Sequence, residues 1–141
     1  MRSGHRRTRA GIFALALTTA MSSAVLQAGP AHADPAPYYC GNWAVAGGFD
    51  YRACVEINPG SIGHVLEVKR VTGGSLLRTL VYLQRQVNGR NWNWCEDRAE
   101  DFEPYEFKTF RCYSTRTAGS TYRTRGATGG AAYAYSPTVR G

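Results

Sequence analysis

An alternation of apolar and polar positions with a period of two runs through most of the chain after residue 50. In residues 51–57, Tyr51, Ala53, Val55 and Ile57 fall on one side and Arg52, Cys54 and Glu56 on the other, the pattern of a half-buried strand. Asn58-Pro59-Gly60 ends that run with turn residues. Residues 65–71 form a second, valine-rich strand closed by Gly73-Gly74. Residues 76–87 fit two periods. Leu77, Thr79, Val81, Leu83 and Val87 make a strand face interrupted by Arg85, whereas Leu76, Leu80, Leu83 and Val87 make a helical stripe. Asn88-Gly89 decides for the strand, because Asn-Gly between apolar runs is a strong hairpin signal, and Trp92 and Trp94 on the return arm then share one face. Another hairpin is expected at Ala118-Gly119-Ser120, joining residues 105–117 to 121–125, and a last strand at 131–135. Six or seven short strands with Gly and Pro punctuation predict an all-β fold, a small antiparallel sandwich or barrel.

The first 33 of the 141 residues do not belong to that pattern. A basic start (Arg2, Arg6, Arg7, Arg9), an apolar run over 10–25 and Ala31-His32-Ala33 predict a secretory signal peptide cut before Asp34. The Arg6-Arg7 pair leaves both general and twin-arginine export open. Residues 34–39 read as a flexible leader and 40–141 as one β domain. No later segment reaches the roughly 18 apolar residues of a membrane span, so a soluble, extracellular product is expected. Cleavage removes four of the seventeen basic residues, leaving thirteen against ten acidic ones, a formal +3. That weak charge and the lack of an aromatic RNA-binding signature argue against a nucleic-acid partner.

Cys40, Cys54, Cys95 and Cys112 all follow the leader. An even number in a short exported chain implies disulfides, with three pairings open. Cys40–Cys54 and Cys95–Cys112 are favoured because each closes a short loop, constraining the unfolded chain by about 3 kcal/mol in the entropy model. A four-cysteine zinc site would want a C-x-x-C pair, which is lacking; no metal or cofactor is expected.

Catalytic groups are scarce. Without His5 and His32, only His64 remains to serve Ser61, Ser114 or Ser136, and there is no G-x-S-x-G elbow. Following Ile62-Gly63 at a strand start, His64 reads as a surface or edge histidine. Residues 96–106 hold six acids: Glu96, Asp97, Glu100, Asp101, Glu103 and Glu106. They read as a solvated acidic loop, with calcium binding and a glycosidase-type carboxylate pair as lesser alternatives.

From Phe107 onward there are six basic residues and no acid. Arg123 and Arg125 alternate with Tyr122 and Thr124 and so point to one face, and the expected hairpin sets Arg116 close to Arg123. Such arginines can grip an anionic cell-envelope polymer, or simply guard a sheet edge. Sixteen aromatics remain after the signal peptide, with Trp43, Phe49 and Tyr51 in the first disulfide loop. Most should fill the core, and an exposed subset beside arginine would make binding hot spots.

Arginine outnumbers lysine fifteen to two, and with abundant Ala, Gly and Thr the chain resembles secreted actinobacterial proteins from high-GC genomes. Within that group it is similar to the small two-disulfide β inhibitors of glycosidases. One such family presents Trp-Arg-Tyr in its first disulfide loop; this chain has Asp50-Tyr51-Arg52 there, and its second loop is shorter. The triplet is not matched, so that family's inhibitory role does not carry over to this chain. The loop aromatics and arginines themselves lead to the expectation of a secreted, non-enzymatic binding module, its sharpest version an inhibitor of an extracellular hydrolase. Trp43, Phe49, Tyr51, Arg52, Arg116, Tyr122, Arg123 and Arg125 are the expected contacts. Binding of an anionic envelope polymer through the C-terminal arginines is the alternative, and a small hydrolase using the acidic segment a minor one.

Overall fold

Ten strands make up residues 36–141, the part of the chain that the computed structural model describes. The expected signal peptide and the first two leader residues lie outside the described residues. In chain order the strands are β1 (Tyr38–Cys40), β2 (Ala44–Ala46), β3 (Phe49–Ile57), β4 (Ser61–Arg70), β5 (Leu77–Val87), β6 (Asn93–Phe102), β7 (Phe107–Thr115), β8 (Thr121–Thr128), β9 (Ala134–Tyr135) and β10 (Val139–Arg140). They form two antiparallel sheets. The first runs β1-β3-β4-β7, with β2 extending the edge beside β3. The second runs β10-β8-β5-β6, with β9 also beside β8. The all-β expectation therefore holds, as does the strand at 76–87 and its Asn88-Gly89 turn, where both residues have positive φ.

The hairpin expected at Ala118-Gly119-Ser120 does not form. The turn there carries the chain from β7 in the first sheet to β8 in the second, so the two strands pair with different neighbours, β4 and β5. Arg116 and Arg123 are consequently not cross-strand neighbours. Local sequence marks a turn at that point, but a hairpin and a crossing between sheets share the same turn residues. The leader is also shorter than expected, because Tyr38 and Tyr39 already pair with Glu56 and Val55 of β3.

Alternation within each strand sends one set of side chains between the sheets. Phe49, Tyr51, Leu66, Val68 and Phe110 of the first sheet meet Val81, Leu83 and Phe102 of the second, with the Phe49 and Phe102 rings 5.0 Å apart at their centroids. Val55, Ile62, Tyr122 and Val139 form a smaller cluster. Gly126 lets β8 approach closely, since a Cβ there would strike Leu66 Cδ1 and the Tyr82 carbonyl. Gly126→Ala is expected to destabilise the fold by about 1–3 kcal/mol through overpacking. A lower urea midpoint at unchanged slope is the readout, and an unchanged midpoint would refute the close fit.

Both favoured disulfides are present. Cys40 faces Cys54 across β1 and β3, while Cys95 of β6 joins Cys112 of β7 and ties the two sheets together. The register of β6 against β5 slips between Leu83 and Gln84, which face Glu96 and Trp94, so Cys95 is the extra residue of a bulge. No free cysteine remains among the described residues, and the two disulfides point to an oxidising environment. Among the described residues no helix is long and apolar enough to cross a membrane.

Candidate functional site

Three of the expected contacts are core residues. Phe49, Tyr51 and Tyr122 are 3%, 1% and 1% exposed. Each occupies an inward position of its strand, and burial of the ring outweighs the polarity of a phenol once that phenol finds a partner. Tyr51 donates to the Ala132 carbonyl at 2.7 Å, and its burial raises the phenol pKa. Tyr122 donates to the Thr115 carbonyl at 3.1 Å and accepts from the Thr117 amide at 2.7 Å. None of the three offers a ring face to a partner.

Trp43 and Arg52 lie on the outside of the first sheet. The Trp43 ring sits 4.5 Å from the Arg52 guanidinium carbon, and Arg52 Nε donates to Glu67 at 2.6 Å. Tyr38 donates to the other oxygen of Glu67 at 3.0 Å. Burial, with the Glu67 hydrogen bond and charge behind it, holds the Tyr38 phenol above its usual value. This group is saturated, since every charge in it already has a partner. Cys40, Cys54 and Glu67 come close enough to resemble metal ligands, but the two sulfurs are bonded to each other. Arg116 sits alone in the β7–β8 crossing and donates to the Asn58 carbonyl at 3.3 Å.

Arg123 and Arg125 keep their expected position on one outward face of β8, the outer face of the second sheet. There they are built into a stack of aromatic rings. The Arg125 guanidinium lies between Trp92 at 4.5 Å and Tyr133 at 4.3 Å, and Arg123 lies over Tyr135 at 4.7 Å. Trp92 also meets Tyr135 edge-on at 6.0 Å. Gln84, directly opposite Arg125 in the register, accepts from its Nε at 2.6 Å, and the Ser136 carbonyl accepts from Arg123 Nε at 3.3 Å. Trp94, 53% exposed, continues the face beside Tyr82. Trp92 and Trp94 thus share a face, as their spacing predicts. Gln84, Tyr133 and Tyr135 are the members that sequence reasoning does not single out. The usable signal was the period-two pair Tyr133 and Tyr135, which repeats the spacing of Arg123 and Arg125.

His64 is not a surface residue. It is fully buried between the sheets, with Nδ1 2.9 Å from Thr124 Oγ1 and Nε2 2.9 Å from Ser114 Oγ. Burial, reinforced by the Arg85 charge, lowers its pKa to about 4. Of the three serines weighed as nucleophiles, Ser114 alone hydrogen-bonds the imidazole. No carboxylate orients the other nitrogen, and so low a pKa makes a weak general base. The acidic segment is only partly a loop: Glu96, Asp97, Glu100 and Asp101 lie within the edge strand β6, and Glu103 and Glu106 in the turn that follows it. Lys108 contacts Glu100 at 2.8 Å and Glu106 at 3.6 Å, and Arg98 lies 3.5 Å from Glu96 and 3.6 Å from Glu100. The Lys108 hydrogen bond lowers the Glu100 pKa, and Glu100 in turn raises that of Lys108. Glu96, Glu100, Asp101 and Glu106 thus lie against nearby bases.

A shallow cavity of about 370 Å³ opens at one end of the sandwich between the Gly47 and Gly129-Gly130 turns, floored by Phe49. It holds none of the arginines on β8. No known family, curated protein or solved structure matches this chain, so the arginine–aromatic face of the second sheet stands on its geometry alone as the candidate site.

Proposed function

We propose that the chain is a secreted, non-enzymatic binding module that presents the outer face of its second sheet to an extracellular protein, a secreted hydrolase being the sharpest target. The observation that carries this reading is the stack of Trp92, Arg125, Tyr133, Tyr135 and Arg123 on a rigid sheet. Trp, Tyr and Arg are the residue types that dominate binding energy at protein interfaces. Here Arg123, Arg125 and Tyr135 sit on β8 and β9, with Trp92 and Tyr133 immediately preceding β6 and β9, and their mutual stacking lowers the entropy lost on docking. The leader motif and the disulfides support export.

Immobilised, disulfide-bonded protein is expected to retain one secreted protein from culture medium at low and at high salt. Trp94→Ala should weaken that retention by about 2 kcal/mol, near thirtyfold in Kd, while the melting temperature stays close to that of the parent. Equal retention by this variant would remove the face from the argument. The second reading, an anionic envelope polymer, is favoured by the absence of any acidic partner for Arg123 or Arg125 among the described residues. Its mark is envelope material held only at low salt.

A further inference from the structure

Building on the binding face proposed above, we infer that Arg123 and Arg125 form a paired clamp for two carboxylates of an extended acidic segment in the partner protein. Both guanidiniums are fixed in the same way. Each uses Nε within the fold, Arg123 toward the Ser136 carbonyl and Arg125 toward Gln84. Each is covered on its flat face by aromatic side chains, Arg123 by Tyr135 and Arg125 by Trp92 and Tyr133. Among the described residues, the hydrogen bonds of both guanidiniums go through Nε alone. Among the described residues no buried side-chain nitrogen is without a partner, so the terminal Nη groups open to solvent. A planar fork with its inner nitrogen anchored and its outer pair free is shaped for end-on, bidentate contact with an oxyanion.

Four of the other described arginines, Arg52, Arg78, Arg98 and Arg111, lie within 4 Å of a carboxylate. Arg123 and Arg125 have none within that distance among the described residues. Arg70, Arg85 and Arg116 have no such carboxylate either but spend a terminal Nη on a backbone carbonyl, which Arg123 and Arg125 do not. Two residues apart on β8, their side chains are spaced by roughly 7 Å, the same interval at which alternate side chains of any extended segment recur. A strand lying over the face with acids at alternate positions therefore meets both forks in register. A long polyanion fits less well, because crossing the sheet brings it over β6, where Asp97 and Asp101 fall on the same outward set as Tyr82 and Trp94. The exposed rings of Trp94 and Tyr135 border the clamp and suit the apolar residues of a protein segment.

The test uses purified, disulfide-bonded protein and capped octapeptides, with binding followed by tryptophan fluorescence. One peptide alternates Glu with Thr, a second alternates Gln with Thr, and a third holds the same number of Glu residues as adjacent pairs separated by two Thr, so that no two acids lie two residues apart. The first should bind, the second should not, and the third should bind about tenfold more weakly. Arg123→Lys/Arg125→Lys keeps the charge, loses the forks and should cost the first peptide about tenfold at unchanged melting temperature. Equal affinity for all three peptides, or full affinity in the lysine variant, would overturn the clamp. So would inorganic polyphosphate displacing the peptide at lower concentration than the peptide's own Kd, which would point to a polymer. If no peptide binds while capture from culture medium persists, the clamp fails and the face stands; if capture fails as well, both fall.

Discussion

Replacing Tyr51 with alanine is expected to destabilise the folded chain by about 3–5 kcal/mol, the cost of deleting a large aromatic side chain from a packed core. Tyr51 is 1% exposed and packs in the main cluster with Leu66, Val68 and Phe102. Its hydroxyl holds the Ala132 carbonyl, so the loop that leads to Tyr133 and Tyr135 is tied down from inside the core. The cavity and the released loop act together. Tyr51→Phe separates them, since it keeps the ring and loses only the hydrogen bond, for about 1 kcal/mol. Denaturant titration with the disulfides intact measures both. Partner capture should survive Tyr51→Phe and fail in Tyr51→Ala only in proportion to the unfolded fraction. Tyr51→Ala with an unchanged midpoint and lost capture would return Tyr51 to the binding surface.

Tyr51 also marks where sequence reasoning reaches its limit. The alternation in β3 correctly places Tyr51, Ala53 and Val55 on one face and Arg52 and Glu56 on the other. It does not tell which face meets the second sheet when both carry residues that can bind partners. The pairing of β7 with β4 and of β8 with β5 is likewise non-local, so a turn at Gly119 looks the same whether it closes a hairpin or crosses the sandwich. Local loops were readable for the opposite reason. Cys40 and Cys54 are 14 residues apart and Cys95 and Cys112 are 17 apart, so short-range closure picks out the observed pairs.

The candidate face was half legible. Arg123 and Arg125 follow from period two on β8, but their meaning depends on Trp92 before β6 and on Tyr133 and Tyr135, which β9 brings alongside β8. Bringing those segments together takes the sheet order, which no single stretch encodes. Arg52 shows the converse. It has the same neighbours by type, an aromatic ring over its guanidinium, yet Glu67 of the adjacent strand neutralises it. What separates a structural arginine from an available one is therefore the residue across the ladder: Glu67 opposite Arg52, Gln84 opposite Arg125.

Acid should unfold this protein through His64 before it does so through the carboxylates. The imidazole is enclosed between Thr124 of the second sheet and Ser114 of the first, with the Tyr122 ring 6.4 Å away and the Arg85 guanidinium as the charged neighbour. No acid is among the groups that shift its titration, so a proton on His64 gains no opposite charge. Its pKa falls from an ordinary 6.5 to about 4 in the folded chain. The unfolded chain therefore binds the proton first, and stability rises with pH across that interval. The contribution is fully present above pH 6.5 and is lost as pH falls toward 4, about 3 kcal/mol in all. Glu100, whose pKa is lowered below 4.5, adds its own loss below that pH, so most of the His64 window lies above it. Urea midpoints between pH 4 and 7.5 should trace this slope in the parent chain. His64→Gln, which can hydrogen-bond but not titrate there, should be less stable at pH 7 and nearly flat over the same range. Parallel pH curves for the two proteins would show that His64 does not govern acid stability.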